Sequence, residues 1–464
     1  MKTIAFHNLG CKVNSYEQEI MRQLAEERGY RVVDFAQDAD VYVINTCTVT
    51  NIADRKSRQM LHRAKQKNPN AVVVAVGCYV QTGIGTIEKD PCVDIAIGNN
   101  HKAQLMDILE RYEAERRQLI VRDAMEDLCG YETMRLSAAT EHTRAYIKIQ
   151  DGCNQFCSYC LIPYARGRVR SRGADDILEE VRKMVALGCL EVVLTGIHIS
   201  SYGIDLDPEG WHEGLQKRRE GTEGADAPMI DYAGRSLLIE LMEEICKVPG
   251  LKRLRVSSLE PRIITEENAR RMAALPQLCP HFHLSLQSGC DTTLKAMNRH
   301  YTAAEYARSV GLLRRFFEAP AITTDVIVGF PGESEADFAE SLRFLEETDF
   351  YMIHVFKYSR RKGTAADRRG EQVSAEDKSV RSDAVLALTA RQAKRFRERY
   401  VGRTAEVLWE EDQKRSGILC RVGHTPDYVS VSIPAAQAAR PVGSIETVRI
   451  ASLADDGVLV AEPE

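Results

Sequence analysis

Three closely spaced cysteines constrain this sequence more than any other feature. Cys153, Cys157 and Cys160 have the spacing CxxxCxxC within the stretch YIKIQDGCNQFCSYCLIPYARGRVRSR. The alternating residues 146–150 predict a strand and Asp151-Gly152 predicts a turn, so the cysteines follow the carboxyl end of a strand. Functional sites of α/β proteins lie at that end of the sheet. The stretch therefore predicts an α/β fold with a metal-binding loop.

Three thiolate ligands favour an iron–sulfur cluster. A 4Fe-4S cubane held by three cysteines leaves one iron without a protein ligand, and that iron is able to bind a substrate. A structural zinc site takes four protein ligands, and an electron-transfer ferredoxin takes a fourth cysteine. Neither fourth ligand occurs within this loop. A zinc loop completed by a distant His or Cys is the alternative, and it corresponds to a non-enzymatic, zinc-dependent RNA-binding module.

Strand-like and helix-like segments alternate from Arg144 onward. The candidate strands are Ala145–Gln150, Glu191–Thr195, Lys252–Ser257, His283–Gln287, Thr323–Val328 and Ile353–Tyr358. Helices are predicted to begin near Ala174, Leu237, Thr265, Thr302, Glu335 and Glu376. Six βα units predict a parallel sheet curled into a partial (β/α)6 barrel. Polar or glycine-containing turns follow several of these strands, and together they predict a pocket at one face.

The cysteine loop, with the aromatic Tyr159 before its last cysteine, resembles the cluster loop of radical S-adenosylmethionine enzymes. The resemblance implies a 4Fe-4S cluster whose open iron chelates the methionine part of S-adenosylmethionine. Reductive cleavage then gives a 5′-deoxyadenosyl radical that abstracts hydrogen. It also implies that residues at the strand ends surround the cofactor. The candidates are Tyr159, Gly196, Glu260, Gln287, Gly329, Phe330, Pro331 and Gly332.

Four arginines alternate just after the cysteine loop, at positions 166, 168, 170 and 172. Alternation is typical of a strand with one solvated face. The other interpretation is a basic edge that faces phosphates beside the radical site. The sequence leaves both interpretations open.

A second set of three cysteines lies in the N-terminal region. Cys11, Cys47 and Cys78 each follow a hydrophobic candidate strand within about three residues; these strands are Thr3–Asn8, Val41–Asn45 and Ala71–Val76. A doubly wound parallel α/β domain brings such loops to one edge. The pattern predicts a second three-cysteine cluster, although free cysteines are also common as buried small hydrophobic residues. A helix is predicted over Ser15–Glu27, with Ser15 and Gln18 placed as a capping box.

The N-terminal motifs resemble those of the methylthiotransferases. They are Gly10-Cys11-Lys12-Val13-Asn14, Asn45-Thr46-Cys47-Thr48-Val49-Thr50 and Gly77-Cys78. The resemblance implies that Cys11, Cys47 and Cys78 hold an auxiliary 4Fe-4S cluster whose open iron carries the sulfur. It further implies that one S-adenosylmethionine methylates this sulfur and a second one yields the radical that removes hydrogen from C2 of adenine.

The tail from Val401 changes to short strands separated by turns. The candidate strands are Thr404–Glu410, Gly417–Val422, Tyr428–Ile433, Ile445–Ala451 and Gly457–Ala461. They predict a small antiparallel β-barrel, which resembles the TRAM module of RNA-modifying enzymes. The predicted domains are therefore an N-terminal methylthiotransferase domain at 1–115, a linker at 116–143, a radical S-adenosylmethionine core at 144–400 and the TRAM-like barrel at 401–464.

Composition sets limits on compartment and partners. The N-terminus lacks a signal-peptide core, and no run approaches the ~18 apolar residues of a membrane span, which predicts a cytoplasmic protein. Thirteen cysteines in such a chain indicate metal binding or reactive thiols. A net charge of -5 does not indicate a general nucleic-acid binder, so RNA contacts are expected from local patches. Residues 203–235 are predicted to form an exposed insertion.

Motif likeness also suggests the substrate. The first cysteine motif, together with 194–198 (LTGIH) and 354–359 (HVFKYS), resembles the methylthiotransferases that act on N6-threonylcarbamoyladenosine next to the anticodon. The implied partners are tRNA carrying that nucleoside, a reductant protein and a sulfur donor. Two related substrates are alternatives: tRNA with isopentenyl-adenosine, and a side chain of a ribosomal protein.

Overall fold

The computed structural model describes residues 1–124, 130–138, 143–206 and 236–463. The predicted insertion at 203–235 lies largely outside these residues. None of the described helices combines the length and apolar character that a membrane span needs.

The N-terminal part is a parallel sheet flanked by helices. Its strands are Thr3–Asn8 (β1), Arg31–Val33 (β2), Val41–Thr46 (β3), Val72–Gly77 (β4), Ile95–Ile97 (β5) and Leu119–Val121 (β6), in the order β2-β1-β3-β4-β5-β6. Its helices are Lys12–Glu27 (α1), Asn51–Lys67 (α2), Cys78–Thr82 (α3), Ile84–Ile87 (α4) and Leu105–Glu115 (α5). Every residue of β3 is buried, as expected for a central strand covered on both faces. The predicted doubly wound domain is confirmed.

Helix α1 begins earlier than predicted. Its N-cap is Cys11, whose backbone is extended and whose side chain makes no capping hydrogen bond. Ser15 lies inside the helix, where its hydroxyl accepts a hydrogen bond from Asn8 Nδ2 (2.7 Å). The predicted capping box at Ser15 and Gln18 is therefore wrong, because the Ser15 hydroxyl is used to hold the end of β1 against the helix.

The central part is an arc of parallel strands. They are Arg144–Asp151 (β7), Glu191–Gly196 (β9), Arg253–Val256 (β10), His281–His283 (β11), Ala321–Val328 (β12) and Met352–Lys357 (β13), with the short Arg170–Ser171 (β8) antiparallel to β7. The helices are Ile162–Arg166 (α6), Ala174–Ala186 (α7), Leu237–Cys246 (α8), Glu266–Ala273 (α9), Asp291–Ala296 (α10), Ala303–Phe316 (α11), Glu335–Thr348 (α12) and Ala375–Glu398 (α13). Isolated bridges such as Leu259 with Leu284 connect β10-β9-β7 to β11-β12-β13. The predicted partial barrel is confirmed.

The tail forms a closed barrel of five strands. They are Thr404–Arg415 (β14), Ile418–His424 (β15), Ser430–Pro434 (β16), Ile445–Leu453 (β17) and Leu459–Glu462 (β18), in the order β14-β15-β16-β18-β17. The pairs are antiparallel except β16 with β18, which run parallel. Trp409 is completely buried at the centre.

Buried charged side chains join the three parts. Arg361, which follows β13, pairs with Asp54 of α2 (2.7 Å) and donates to Thr48 Oγ1 (2.9 Å). Arg253 of β10 pairs with Glu406 of the tail barrel (2.9 Å), and Arg144 of β7 pairs with Glu410. The N-terminal domain and the tail barrel therefore both pack directly on the central barrel.

The alternating arginines differ from both interpretations of the sequence. Arg166, Arg170 and Arg172 are buried, at 0%, 5% and 2% exposure, and only Arg168 is exposed. Arg172 pairs with Asp176 and Glu180 of α7. Neither a solvated face nor a phosphate-facing edge describes these three arginines, because they are buried and each is paired with a carboxylate inside the protein.

Candidate functional site

The loop after β7 gathers the first cysteine trio. Gly152 makes the turn with φ of +71°, and a Cβ at this position would lie 1.8 Å from the carbonyl oxygen of Arg168. The loop then returns on itself, since the Cys160 N–H donates to the Cys157 carbonyl (3.0 Å). Only glycine fits the turn that starts the loop.

Each sulfur of this trio accepts one hydrogen bond. The pairs are Gln155 N–H with Cys153 Sγ (3.5 Å), Ile162 N–H with Cys160 Sγ (3.4 Å) and Arg299 Nη1–H with Cys157 Sγ (3.2 Å). Hydrogen bonds and a guanidinium charge at sulfur stabilise thiolates, which are the ligands of iron–sulfur clusters.

Burial acts against ionisation of two of these thiols, Cys153 and Cys160. It raises the pKa of Cys153 to about 12, despite the hydrogen bond from Gln155. Burial also raises the pKa of Cys160, and the neighbouring Cys157 raises it further. Three thiolates are therefore favourable here only together with a cation, as expected for a metal-binding loop.

Two of the predicted cofactor residues pack beside this loop. The rings of Tyr159 and Phe330 meet edge to face with centroids 6.3 Å apart, and Phe330 also packs against Tyr358. Gly329 and Gly332, on either side of Phe330 and Pro331, have φ of +71° and +85°. The glycine turn after β12 is thus held next to the aromatic residue of the cysteine loop.

Glu260 contacts the cysteine loop from the end of β10. It accepts from Gln155 Nε2 (3.4 Å) and from Arg262 Nε (2.7 Å), and lies 3.4 Å from His198. Burial raises the pKa of this carboxyl, but the hydrogen bond from His198 and the Arg262 charge outweigh it and lower the pKa to about 2. Glu260 is therefore a buried carboxylate.

Gly196 ends β9 and Gln287 lies a few residues after β11, and both approach the backbone of neighbouring strands. Gln287 has φ of +75°, and its N–H donates to the Asp325 carbonyl (2.8 Å). A Cβ at Gly196 would lie 2.9 Å from the Gln150 carbonyl oxygen. Cofactor binding by the eight candidates stays a prediction; they are Tyr159, Gly196, Glu260, Gln287, Gly329, Phe330, Pro331 and Gly332.

The second cysteine trio lies at three neighbouring strand ends. Cys11 follows β1, Cys47 follows β3 and Cys78 follows β4, and these strands are adjacent in the sheet. Burial and, to a smaller extent, the nearby Cys78 and Cys11 sulfurs raise the pKa of Cys47 to about 11. Asn14 connects the loops, because its Nδ2 donates to the Thr46 carbonyl (3.0 Å) and its Oδ1 accepts from Cys11 (3.6 Å).

Arg166 connects the second trio to the first. Its Nε donates to Cys78 Sγ (3.3 Å), its Nη1 donates to Glu17 (2.9 Å) and Asp151 (3.1 Å), and its Nη2 donates to Asn14 (3.1 Å). Arg166 ends α6, the helix that starts two residues after Cys160. Helix α6, which is about 8 Å long at 1.5 Å per residue, therefore contacts Cys160 of the first trio at its start and, through the Arg166 side chain, Cys78 of the second trio at its end.

Glu17 is the most completely neutralised carboxylate of this region. Its partners are Lys102 (2.5 Å), Lys148 (2.8 Å) and Arg166 (2.9 Å), and all four side chains are buried. Burial raises the pKa of Glu17, but the three cations outweigh it and keep the pKa well below its usual value. Arg170 lies 3.8 Å from the neighbouring Asp151, so four cations face the two carboxylates of Glu17 and Asp151, and positive charge is left for the sulfur of Cys78.

The spacing of the cysteines does not suit a single metal ion. Among the residues that the structure describes, the one group of three ligand atoms within 4.8 Å of one another is His62, Asp90 and Cys92, which lies outside both trios. A tetrahedral zinc ion with Zn–S bonds of about 2.3 Å needs sulfurs closer than this. In neither trio do all three sulfurs lie this close together, and a cubane, which binds each cysteine at a different iron corner, accepts sulfurs that are farther apart.

Two contacts with cysteine sulfurs were not predicted from the sequence, those of Arg299 and Arg166. Arg299 follows α10 and has no motif around it, so its contact with Cys157 required the fold. Arg166 was visible in the arginine alternation, but a period of two indicated a strand face. Its position six residues after the last cysteine was the available signal.

Known protein families match both halves of this site. Residues 3–98 match a model described as uncharacterized protein family UPF0004, and residues 147–345 match the radical SAM superfamily. A radical S-adenosylmethionine methyltransferase, TsrM from Kitasatospora setae, shares the fold with a TM-score of 0.51 over 79% of this chain and 74% of its own, at 14% identity. The chain is a radical SAM protein, a class that uses a 4Fe-4S cluster and S-adenosylmethionine.

Sequence relatives give the family within this class. Threonylcarbamoyladenosine tRNA methylthiotransferase MtaB of Bacillus subtilis (strain 168) is 40% identical over 93% of this chain and 90% of its own length. The MtaB of Aquifex aeolicus is 36% identical over 89% and 93%. A tRNA-2-methylthio-N(6)-dimethylallyladenosine synthase of Clostridium tetani is 32% identical over 89% and 86%. The chain belongs to the radical SAM methylthiotransferase family and is an enzyme of methylthio-group transfer.

Proposed function

We propose that this enzyme adds a methylthio group to C2 of N6-threonylcarbamoyladenosine next to the anticodon of tRNA. Cys153, Cys157 and Cys160 hold the 4Fe-4S cluster that binds S-adenosylmethionine. A second trio, Cys11, Cys47 and Cys78, holds an auxiliary 4Fe-4S cluster. A reductant and a sulfur donor come from other proteins. The two relatives named for this substrate, at 40% and 36% identity, support the choice.

One observation carries the proposal: helix α6 contacts one cysteine of each trio, Cys160 at its start and Cys78 at its end. The N–H of Ile162 donates to Cys160 Sγ at the start of the helix, and Arg166 donates to Cys78 Sγ at its end. A radical centre and a sulfur donor must reach the same carbon atom, and holding them in fixed positions is the main contribution an enzyme makes.

The residues of this chain orient and neutralise the bound groups. When bound, the two clusters and S-adenosylmethionine supply the radical and the sulfur. Arg299 and Arg166 each place a guanidinium against one cysteine sulfur, which offsets the negative charge of the thiolates. The adenine must leave its stack in the anticodon loop before its C2 is accessible, as for other enzymes that act on a base.

The test of the two-cluster proposal is the iron content of three proteins. Anaerobic reconstitution of the wild type should give a brown protein with about eight irons. Replacing Cys153, Cys157 and Cys160 with Ala should leave about four irons and abolish cleavage of S-adenosylmethionine. Replacing Cys11, Cys47 and Cys78 should also leave about four, and it should preserve cleavage but stop thiolation.

Several results would contradict the proposal. Retained thiolation in the Cys11, Cys47 and Cys78 variant would remove the auxiliary cluster from the reaction. A colourless protein that contains zinc would support the RNA-binding alternative. Mass spectrometry of tRNA nucleosides from a deletion strain tests the substrate, because unchanged 2-methylthio-N6-threonylcarbamoyladenosine would reject it in favour of isopentenyl-adenosine or a ribosomal protein.

A further inference from the structure

A cavity inside the central barrel has in its wall Lys12, the residue that follows Cys11 of the second trio. Its volume is about 470 Å³, and its walls include Lys12 of α1, Ser257 after β10, His281 of β11 and Tyr428 of the tail barrel. Pockets for small organic ligands range from about 300 to 1,000 Å³. The cavity is therefore large enough for a substituent on a nucleobase, and all three parts of the chain contribute to it.

Lys12 is the unpaired cation of this cavity. It follows Cys11 directly in the chain, and its side chain is accessible although it lines a concave surface. Its ammonium makes no hydrogen bond or ion pair with any residue that the structure describes, and the charged side chains around it include Arg255, Arg144 and Glu191. An ammonium in such a position is a binding site for an anion.

Two further polar atoms in the cavity wall lack partners among the described residues. They are Ser257 Oγ, in a side chain that is 8% exposed, and His281 Nδ1. Buried polar atoms of folded proteins nearly always have a hydrogen-bond partner, so two unpaired atoms beside an unpaired ammonium indicate that a polar ligand completes the site. An apolar substituent such as a dimethylallyl group would leave all three unsatisfied.

The charge of the cavity favours an acid. Lys12 and Arg397 are its cations, and Asp325 is its carboxylate, which lies 3.3 Å from His283 Nε2. Burial and the nearby Arg255 keep the pKa of His281 well below its usual value, so that imidazole is neutral. The lining of the cavity therefore carries two cations and one carboxylate, which gives it a net positive charge.

We infer that this cavity binds the threonylcarbamoyl substituent of the substrate adenosine, with its carboxylate on Lys12. This inference rests on the proposed function and names the residues that select the substrate. C2 of adenine and C6, the atom that carries N6, are both bonded to the ring nitrogen N1, so a pocket for the N6 substituent has to adjoin the site that delivers sulfur to C2. Lys12 meets this requirement because it is the neighbour of Cys11. The hydroxyl and amide of the substituent are suitable partners for Ser257 and His281.

The experiment measures anaerobic binding of two anticodon stem-loops to the reconstituted enzyme. One RNA carries N6-threonylcarbamoyladenosine and the other carries plain adenosine at the same position. Lys12→Met should raise the Kd of the modified RNA by about tenfold to a hundredfold, the range for a charge-assisted hydrogen bond, and change that of the unmodified RNA less than about twofold. Lys12→Arg should restore most of the affinity.

Ser257→Ala provides a second variant, far in sequence from the cysteines, if Lys12→Met loses iron. It should weaken binding of the modified RNA about threefold and leave the unmodified RNA unchanged. Equal weakening of both RNAs would show that Lys12 contacts phosphate, and unchanged affinity in both variants would show that the substituent lies elsewhere; either result overturns the inference. Failure of the wild type to thiolate the modified RNA would instead overturn the proposed function.

Discussion

Two arginines are placed against cysteine sulfurs, one at each trio. Arg299 lies 3.2 Å from Cys157 and Arg166 lies 3.3 Å from Cys78. Arg166 is completely buried and Arg299 is half-buried, so carboxylates or aromatic rings have to compensate their charges; Arg299 stacks on the Tyr301 ring at 4.9 Å. Because Arg166 also neutralises Glu17 and Asp151, its loss affects more than the sulfur it contacts.

Arg166→Met should lower the free energy of unfolding by about 3–5 kcal/mol, because it leaves buried carboxylates without one of their cations. The exposed Arg168, two residues along the same stretch, gives the matched control. Arg168→Met removes only a stacking contact with Phe156 and should cost less than about 1 kcal/mol. Urea unfolding of both variants measures the difference, and equal losses would mean that the ion pairs of Arg166 contribute little.

The residues that hold the site could be predicted only in part. The cysteines were recognisable because their spacing and their position after apolar strands repeat along the chain. The partners of their sulfurs were not, because Arg299 lies 142 residues from Cys157 and Arg166 lies 88 residues from Cys78. Such pairs depend on how domains pack, and no local pattern encodes that packing.

At the scale of elements, the longer helices and strands mostly followed their sequence signals, but the three-residue strands β2, β5 and β6 were not predicted, and side-chain hydrogen bonds altered one predicted strand. The predicted strand His283–Gln287 is observed as β11 at His281–His283. The Leu286 N–H donates to Thr324 Oγ1, and the Tyr301 hydroxyl donates to the Ser285 and Leu286 carbonyls. The periodicity of apolar residues predicts which face of a strand is buried. It does not show which backbone N–H and carbonyl groups will bond to side chains instead of to a neighbouring strand.

Gly152→Ala tests the turn that starts the cysteine loop. A methyl group there would collide with the Arg168 carbonyl at a backbone conformation that costs about 1–3 kcal/mol for other residues. We expect the variant to lose about half of its iron, from the first trio, with a lower unfolding temperature. Gly173→Ala is the matched control, because a Cβ at Gly173 meets nothing within 4 Å. Full iron content in Gly152→Ala would show that the loop adapts.

At the scale of the whole molecule, buried ion pairs determine how stability depends on pH. The pKa of Glu17 and that of Asp151 are both lowered, since Arg166 and Lys148 outweigh the effect of burial. Carboxyls with lowered pKa values stabilise the folded state above their unfolded pKa of about 4, and this contribution is lost as pH falls.

The free energy of unfolding should therefore decrease from about pH 5 downward. In Glu17→Gln the decrease should be shallower, because one of the responsible carboxyls is absent. Urea unfolding at a series of pH values measures both slopes. A Glu17→Gln slope as steep as that of the wild type would assign the acid sensitivity to other groups.

The shared ion pairs also bear on biosynthesis. Glu17 leaves the ribosome well before two of its cations, since Lys148 and Arg166 follow 131 and 149 residues later. Until they are translated, the nascent N-terminal domain carries a carboxylate neutralised by Lys102 alone, and Cys78 has no guanidinium beside it. The first domain therefore lacks these ion pairs until the second domain has been synthesised. A protein truncated before residue 148 is expected to be less stable and a substrate for chaperones and proteases.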